Sequence, residues 1–212
     1  MKQNLRSTTT VEVPVHLVYN SFPGKLNFMY NKKLIKKEIG EDFYGVFASE
    51  DIKQGEIVFS KWNDNCVKLK RDEVNKLPEP YKTIFEKYST ELEEYTYVGP
   101  YENEDVSSQI DYFINHCCDP NAWMINDEDV AARRDIKAGE QVTIDYATFI
   151  INEFPSSKIE TCLCGAASCR GKLGKNDWWK MKDIYRGHYI SWIQKKINKK
   201  EDNELMKISK AS

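Results

Sequence analysis

The chain has 212 residues, a formal net charge of −2 and a pI near 6.0. This length suits one domain with a real core, or one domain with small appendages. The charge balance argues against nucleic acid as a direct partner. No apolar run approaches the ~20 residues that a membrane span needs, and residues 1–6 are polar with no signal-peptide core behind them. These features predict an intracellular protein, nuclear or cytoplasmic, without a membrane segment.

The first half of the chain is rich in strand signals. Residues 1–40 include a β-rich stretch over 11–19 and contain no cysteine, and we assign them to an N-terminal flank. Residues 43–59 have the pattern of two strands joined by a turn at Gly55. The phrase Asp-Ile-Lys-x-Gly-Glu of this turn returns at residues 135–140. We predict one strand–turn–strand device used twice, because two copies are too few for a repeat architecture.

Residues 61–106 differ in character, and we assign them to an insert. Apolar side chains at i, i+3, i+4 and i+7 after Pro80 predict an amphipathic helix; they are Tyr81, Ile84, Phe85 and Tyr88. The insert also carries a set of acids, namely Glu91, Glu93, Glu94, Glu102, Glu104 and Asp105. These acids are either a solvated face or an acidic wall for a basic peptide.

The second half alternates hairpin and helix signals. Residues 123–134 predict a hairpin across an acidic turn. Asn176 and Asp177 predict the start of a helix that runs through Tyr185 and ends at Gly187. A second apolar helical face follows from Tyr189 to Ile197, and the charged residues from 199 onward are predicted to be frayed.

Three short motifs carry the chemistry. The first is Asn115-His116-Cys117-Cys118-Asp119-Pro120-Asn121, a polar run with turn chemistry that follows the apolar residues 112–114. The second is the β-branched run at 142–144, which ends in Asp145-Tyr146. The third is Cys162-x-Cys164-x4-Cys169, followed by Arg170-Gly171.

At these three places the chain resembles the SET-domain protein-lysine methyltransferases. The resemblance covers residues 41–60 and 107–175. It implies a SET fold, which is mostly β with some α: small curved sheets with a pseudoknot-like crossing of the first two motifs, a helical insert and C-terminal helices. By the same resemblance the SET domain spans 41–150, with the insert at about 61–106. A post-SET zinc-binding segment spans 158–175, and a C-terminal helical extension spans 176–212.

Clustered cysteines in a reducing compartment favour a metal site over disulfides. Cys162, Cys164 and Cys169 supply three thiolates, and the alternative is incidental reduced thiols. The resemblance implies that Cys118 is the fourth ligand of a structural Zn²⁺ ion. Cys117 stands at the family's common Ser position, and Cys66 is interpreted as a small buried hydrophobe. His16 and His188 are interpreted as satisfied or surface histidines rather than ligands.

The resemblance also implies an S-adenosylmethionine site. Asn115 and His116 would hold this cosubstrate, together with the loop of Tyr44 and Gly45, where Phe43 departs from the family's first Gly. Tyr146 matches the catalytic tyrosine, as an orienting group rather than a base. Ile144 stands where many relatives have Phe or Tyr, which leans toward more than one methyl per lysine. Trp123 and Met124 are interpreted as hairpin core in preference to channel lining.

A second departure lies at Tyr112, which replaces an Arg that often braces the first motif. The predicted function is methyl transfer to a lysine side chain of a protein, with a basic histone-like tail as one candidate substrate. The rival interpretation is a zinc-stapled SET-like scaffold that binds a peptide without turnover. A zinc-ribbon nucleic-acid binder is disfavoured, because a second paired-cysteine knuckle and a basic face are both missing from the sequence.

Overall fold

A computed structural model describes residues 30–60, 66–154 and 158–211 of the chain. The β-rich stretch at 11–19 and His16 lie outside these residues. Within them, ten strands and four α-helices follow one another in chain order. The strands are β1 Leu34–Gly40, β2 Phe43–Ala48, β3 Ile57–Ser60, β4 Val67–Lys70, β5 Thr90–Glu93, β6 Thr96–Gly99, β7 Asn115–His116, β8 Ala122–Met124, β9 Asp129–Ala132 and β10 Gln141–Ile144. The helices are α1 Arg71–Val74, α2 Tyr81–Tyr88, α3 Asp177–Lys180 and α4 Ser191–Ala211.

The strands form three small sheets. Their orders are β1-β2-β10-β7, β3-β9-β8 and β4-β6-β5. All strand pairs are antiparallel except β7 with β10, which pair in parallel. The predicted fold class, mostly β in small sheets with few helices, is therefore confirmed. The first strand lies inside the region 1–40 that was assigned to a flank, yet it pairs along its whole length with β2.

The repeated phrase forms two interlocked turns. Ile52 and Ile136 pair as an antiparallel bridge, and Gly55 and Gly139 each adopt a φ of 84°. At that φ a side chain would be strained, which explains glycine in both copies. The turns also exchange ion pairs: Lys53 Nζ lies 2.9 Å from Asp135, and Lys137 Nζ lies 2.7 Å from Asp51. The prediction of one device used twice is confirmed.

The main core lies between the first two sheets and the C-terminal residues. It includes fully buried Val46, Val58, Met124, Ile136 and Ile193. Among the described residues, none of the helices combines the length and the hydropathy that a membrane crossing requires.

The insert is less helical than its sequence suggests. The helix α2 forms as predicted, with Phe85 fully buried. Around it, however, residues 67–99 build a complete three-stranded sheet, β4-β6-β5. A second small core of Val74, Phe85, Tyr97 and Phe154 holds this sheet together.

The C-terminal helices differ from their predicted bounds. α3 ends at Lys180 rather than at Tyr185. At its first residue, the Asp177 carboxylate accepts a bond from the Gly174 N–H (3.1 Å) and pairs with Arg170. α4 continues to Ala211, so the prediction of fraying from residue 199 is wrong. A helix can carry many charged side chains when one of its faces packs on the core. In α4, Ile193 and Ile197 form that face and are buried as predicted.

Candidate active site

The parallel pairing of β7 and β10 brings two of the three motifs together. Asn115 faces Thr143 and His116 faces Ile144 in the strand register, and the Cys117 N–H donates to the Ile144 carbonyl at 3.1 Å. Asp145 and Tyr146 follow β10 directly. Two motifs that are about 30 residues apart in sequence thus share one sheet edge.

Tyr146 lies against the first motif. Its hydroxyl donates to the Ile114 carbonyl at 2.8 Å, and its ring meets those of His116 and Phe149 edge-on, each at a centroid distance of 5.4 Å. Burial raises the pKa of the Tyr146 phenol well above its usual value. The hydroxyl is therefore protonated near neutral pH and can orient a partner, but it is a poor base.

His116 joins the tyrosine to the cysteines. Its Nδ1 accepts the Tyr146 backbone N–H at 3.3 Å, and its Nε2 lies 3.3 Å from Cys118 Sγ. Burial lowers the pKa of His116 to about 4, which outweighs the opposing effect of Asp145. The ring is neutral near neutral pH. Because Nδ1 accepts, the ring hydrogen is assigned to Nε2, where it faces the sulfur.

The predicted cosubstrate loop of Tyr44 and Gly45 is in fact the start of strand β2. Asn115 Nδ2 donates to the Tyr44 carbonyl at 2.9 Å, so a side chain joins β7 to β2, and Asn115 Oδ1 is left as an acceptor. The Tyr44 ring meets Phe113 edge-on at 5.6 Å. A Cβ on Gly45 would meet the end of the Gln141 side chain, which would have to move to make room for it. Phe43, at the family's first Gly position, is 56% exposed.

The four predicted ligand cysteines converge. The Sγ atoms of Cys118, Cys162, Cys164 and Cys169 all lie within 4.8 Å of one another, and those of Cys118 and Cys162 are 3.9 Å apart. Zinc–thiolate bonds of about 2.3 Å in a tetrahedron separate the sulfurs by just under 4 Å, so the donor set fits a closed zinc site. Backbone N–H groups of Arg170 and Gly171 point at two of the sulfurs, at 3.3 and 3.4 Å, which favours thiolates.

Two other cysteines lie outside this quartet. The Cys117 thiol donates to the Asp119 carbonyl at 3.4 Å. Cys66 was interpreted as a small buried hydrophobe; it is only half-buried, and it lines a cavity. His188 Nδ1 donates to the Met124 carbonyl at 2.8 Å and the ring stacks on Trp123, in agreement with a satisfied histidine.

A buried ion network centred on Arg170 was missed by the sequence reasoning. Both oxygens of the fully buried Asp145 accept from the Arg170 guanidinium, at 2.6 and 2.7 Å. Arg170 Nε also lies 3.0 Å from Asp177 Oδ2. This fork ties the cysteine segment to the Asp-Tyr motif and to α3. The only signal was the Arg-Gly that follows the cysteines, and nothing in the sequence indicated its partners.

Replacement of Arg170 by Met tests this network. Removal of one partner leaves buried charge on Asp145 and Asp177, and the expected loss in the free energy of unfolding is about 3–5 kcal/mol. Urea denaturation followed by tryptophan fluorescence measures the loss. Lys158→Met is the matched control, because its pair with Glu160 is exposed and is worth at most about 1 kcal/mol. Equal effects from the two variants would show that the network is not a major stabilising element.

A cavity of about 130 Å³ lies on one side of Tyr146. Its apolar wall includes Ile114, Met124, Ile144 and Phe149, and the insert closes it with Tyr88. Met124 is fully buried in the main core, as its interpretation as hairpin core predicted, and it also contributes to the wall of this cavity. The predicted hairpin itself is confirmed as β8–β9. A second, smaller cavity of about 60 Å³ also borders on Tyr146.

The acids of the insert are partly committed to the fold. Glu91 is fully buried, and its carboxylate accepts from the N–H groups of Ile151 and Asn152 at 2.9 Å. Glu93 pairs with Lys68 and Glu94 with Lys196. Only the later three acids, at 102–105, are left for an acidic wall.

The described residues thus combine three features: small sheets, a strand edge that unites two polar motifs, and a quartet of thiols that could hold a metal ion. Comparison with known proteins names the class of protein, since residues 44–147 match the SET domain. The chain belongs to the SET-domain family.

The names of similar proteins agree with this family assignment. The variant-silencing SET domain-containing protein of Plasmodium falciparum is 29% identical over 69% of this chain. Histone-lysine N-methyltransferase ATX2 of Arabidopsis thaliana is 28% identical over 74%, and histone-lysine N-methyltransferase SUV39H2 of Xenopus tropicalis is 35% identical over 30%. The matched regions are 6%, 15% and 21% of these relatives, respectively.

Proposed function

We propose that the protein is an S-adenosylmethionine-dependent protein-lysine N-methyltransferase. One observation carries this proposal: the Tyr146 hydroxyl is fixed on the Ile114 carbonyl at the wall of an apolar cavity, beside the Asn115–His116 strand. That arrangement offers a largely apolar cavity for an aliphatic amine, next to the segment that resembles the family's cosubstrate site. The names of the relatives support the same reaction class.

The cavity prepares the amine for attack. Methyl transfer requires a neutral nitrogen, and an apolar wall disfavours the charged ammonium and so lowers a lysine pKa. The Tyr146 hydroxyl, kept protonated by burial, then holds the nitrogen and the methyl group on one line. The N–C bond forms as the S–C bond breaks, and the amine proton leaves to water.

Four residues would hold the cosubstrate: Tyr44, Gly45, Asn115 and His116. The amide oxygen of Asn115 suits an ammonium group, and the Tyr44 and Phe113 rings suit an apolar segment of the ligand. When bound, S-adenosylmethionine supplies an electrophilic methyl group.

A structural Zn²⁺ ion would be held by Cys118, Cys162, Cys164 and Cys169. Four thiolates leave no open position, so the ion has no part in the reaction. Its role is to fix the C-terminal cysteine loop to the loop that follows Asn115 and His116.

The substrate is a lysine-bearing protein, for which we propose a basic, histone-like tail. Among the acids at 102–105, Glu104 lies close enough to interact electrostatically with Asp111 and Tyr112, which line the cavity. A basic segment next to the target lysine would be attracted to this side of the channel.

The side chain of Ile144 is expected to permit more than one methyl per lysine. It lines the cavity without a hydroxyl, so a methylated amine keeps room to rotate. We expect dimethyl or trimethyl product from the natural enzyme and a shift to monomethyl product in Ile144→Phe. Peptide mass spectrometry at equal turnover measures the distribution. A strictly monomethyl product from the natural enzyme would contradict the volume argument.

The function is tested in two stages. Calorimetric titration with S-adenosylmethionine should show binding, and incubation with histones and cell-extract proteins should add methyl-sized mass steps to a substrate. Binding without any transfer would favour the rival interpretation, a SET-like peptide-binding scaffold. Absence of both would contradict the proposal.

A further inference from the structure

Lys36, on β1, is a positively charged residue near the proposed cosubstrate site. None of the three sequence motifs indicated it. Its Nζ lies 4.2 Å from the centroid of the Phe113 ring and 5.1 Å from that of Tyr44. Phe113 lies two residues before Asn115, and Tyr44 lies in the part of β2 that is proposed to hold the cosubstrate. The ammonium therefore lies over the aromatic pair formed between these two segments.

This ammonium is half-buried and has no acidic partner in direct contact. Nζ donates to the Ser107 carbonyl at 2.5 Å, and within the described ranges no carboxylate lies within 4.0 Å of it. Asp105 is the acid that acts on Lys36 at longer range, but its carboxylate accepts instead from the N–H and hydroxyl of Ser107, at 3.1 and 2.5 Å. Desolvation lowers the pKa of Lys36. A partly desolvated cation gains most from an anionic ligand.

Neighbouring groups indicate which anion fits. Asn115 gives its N–H to the Tyr44 carbonyl and keeps Oδ1 as an acceptor, which suits an ammonium group. A ligand that carries both an ammonium and a carboxylate on one carbon would meet Asn115 with the first and Lys36 with the second. The arginine that often braces this motif in the family is Tyr112 here, so Lys36 brings the positive charge from another strand.

We propose that Lys36 is a positioning residue that binds the α-carboxylate of S-adenosylmethionine; this rests on the proposed function. The contact would anchor the amino-acid end of the ligand while the methyl group faces the channel. It would also favour ligands that carry the carboxylate over those that lack it.

The test compares ligands that differ only in this group. Lys36→Met should weaken calorimetric binding of S-adenosylmethionine and of S-adenosylhomocysteine about ten- to hundredfold, as expected for loss of a charge-assisted bond. Binding of decarboxylated S-adenosylmethionine should change less than threefold. Lys36→Arg should restore most of the affinity for the two carboxylate ligands.

Lys37→Met is the matched control. Lys37 is the next residue of β1 and points to the other face, with Nζ 5.6 Å from the Phe47 ring, so its loss should leave all three affinities unchanged. An equal loss for all three ligands in Lys36→Met, or no loss, would overturn the proposal, and thermal unfolding of each variant identifies a merely structural effect. If the natural protein binds none of the ligands, the proposed function itself fails.

Discussion

Tyr146→Phe is expected to fold normally and to lose methyl transfer by about a hundredfold or more, the cost of a misaligned reacting group. The substitution removes only the hydroxyl, which donates to the Ile114 carbonyl at 2.8 Å. The ring contacts with His116 and Phe149 are retained. Loss of one buried hydrogen bond costs about 1 kcal/mol of stability, too little to unfold a domain.

Initial rates with a lysine substrate and thermal unfolding of the same preparation measure both parts of this prediction. Tyr97→Phe is the matched control. Its hydroxyl also donates to a backbone carbonyl, that of Asn152, but it lies in the insert away from the cavity wall. Full turnover by Tyr146→Phe would refute the proposed role of the hydroxyl.

Cys162→Ser is expected to abolish stoichiometric zinc and to release the C-terminal loop. Structural zinc in small domains contributes on the order of 10 kcal/mol to folding. Because Cys118 lies two residues from His116, release of the quartet should also disturb the Asn-His strand. We expect about one zinc per chain in the natural protein, and little metal, a lower unfolding temperature and weak cosubstrate binding in the variant.

Elemental analysis together with differential scanning calorimetry makes the measurement. The control is Cys117→Ser, which alters a thiol adjacent to the quartet whose donor bond goes to the Asp119 carbonyl. It should retain the metal. A preparation of the natural protein that is free of metal yet fully active would contradict a structural zinc.

Sequence patterns predicted the elements whose conformation depends on residues close to one another in the chain. The Asp-Ile-Lys-x-Gly-Glu phrase predicted both turns, because a turn with glycine at positive φ depends only on the few residues that form it. The i, i+3, i+4 pattern predicted α2, and the cysteine spacing placed three thiols within one loop. The fourth thiol, Cys118, came from resemblance, and the structure brings its sulfur to within 3.9 Å of that of Cys162.

Partners that are distant in sequence could not be predicted in the same way. Glu91 looked like one of several surface acids, yet it is fully buried and accepts bonds from the loop that follows Tyr146. Asp177 looked like a helix cap, and it pairs with Arg170 instead. In each case a tertiary contact outweighs the local preference of the residue, and one sequence does not show which distant residue supplies that contact.

Methyl transfer to lysine is measured by one assay. The purified protein and S-adenosylmethionine are incubated with a histone-tail peptide and with the same peptide in which every lysine is replaced by arginine, and products are read by intact mass and fragmentation. We expect methyl-sized steps on the lysine peptide, located on a side-chain nitrogen, and none on the arginine peptide. Bound cosubstrate with no mass step on histones or on any cell-extract protein would contradict the proposed methyl transfer.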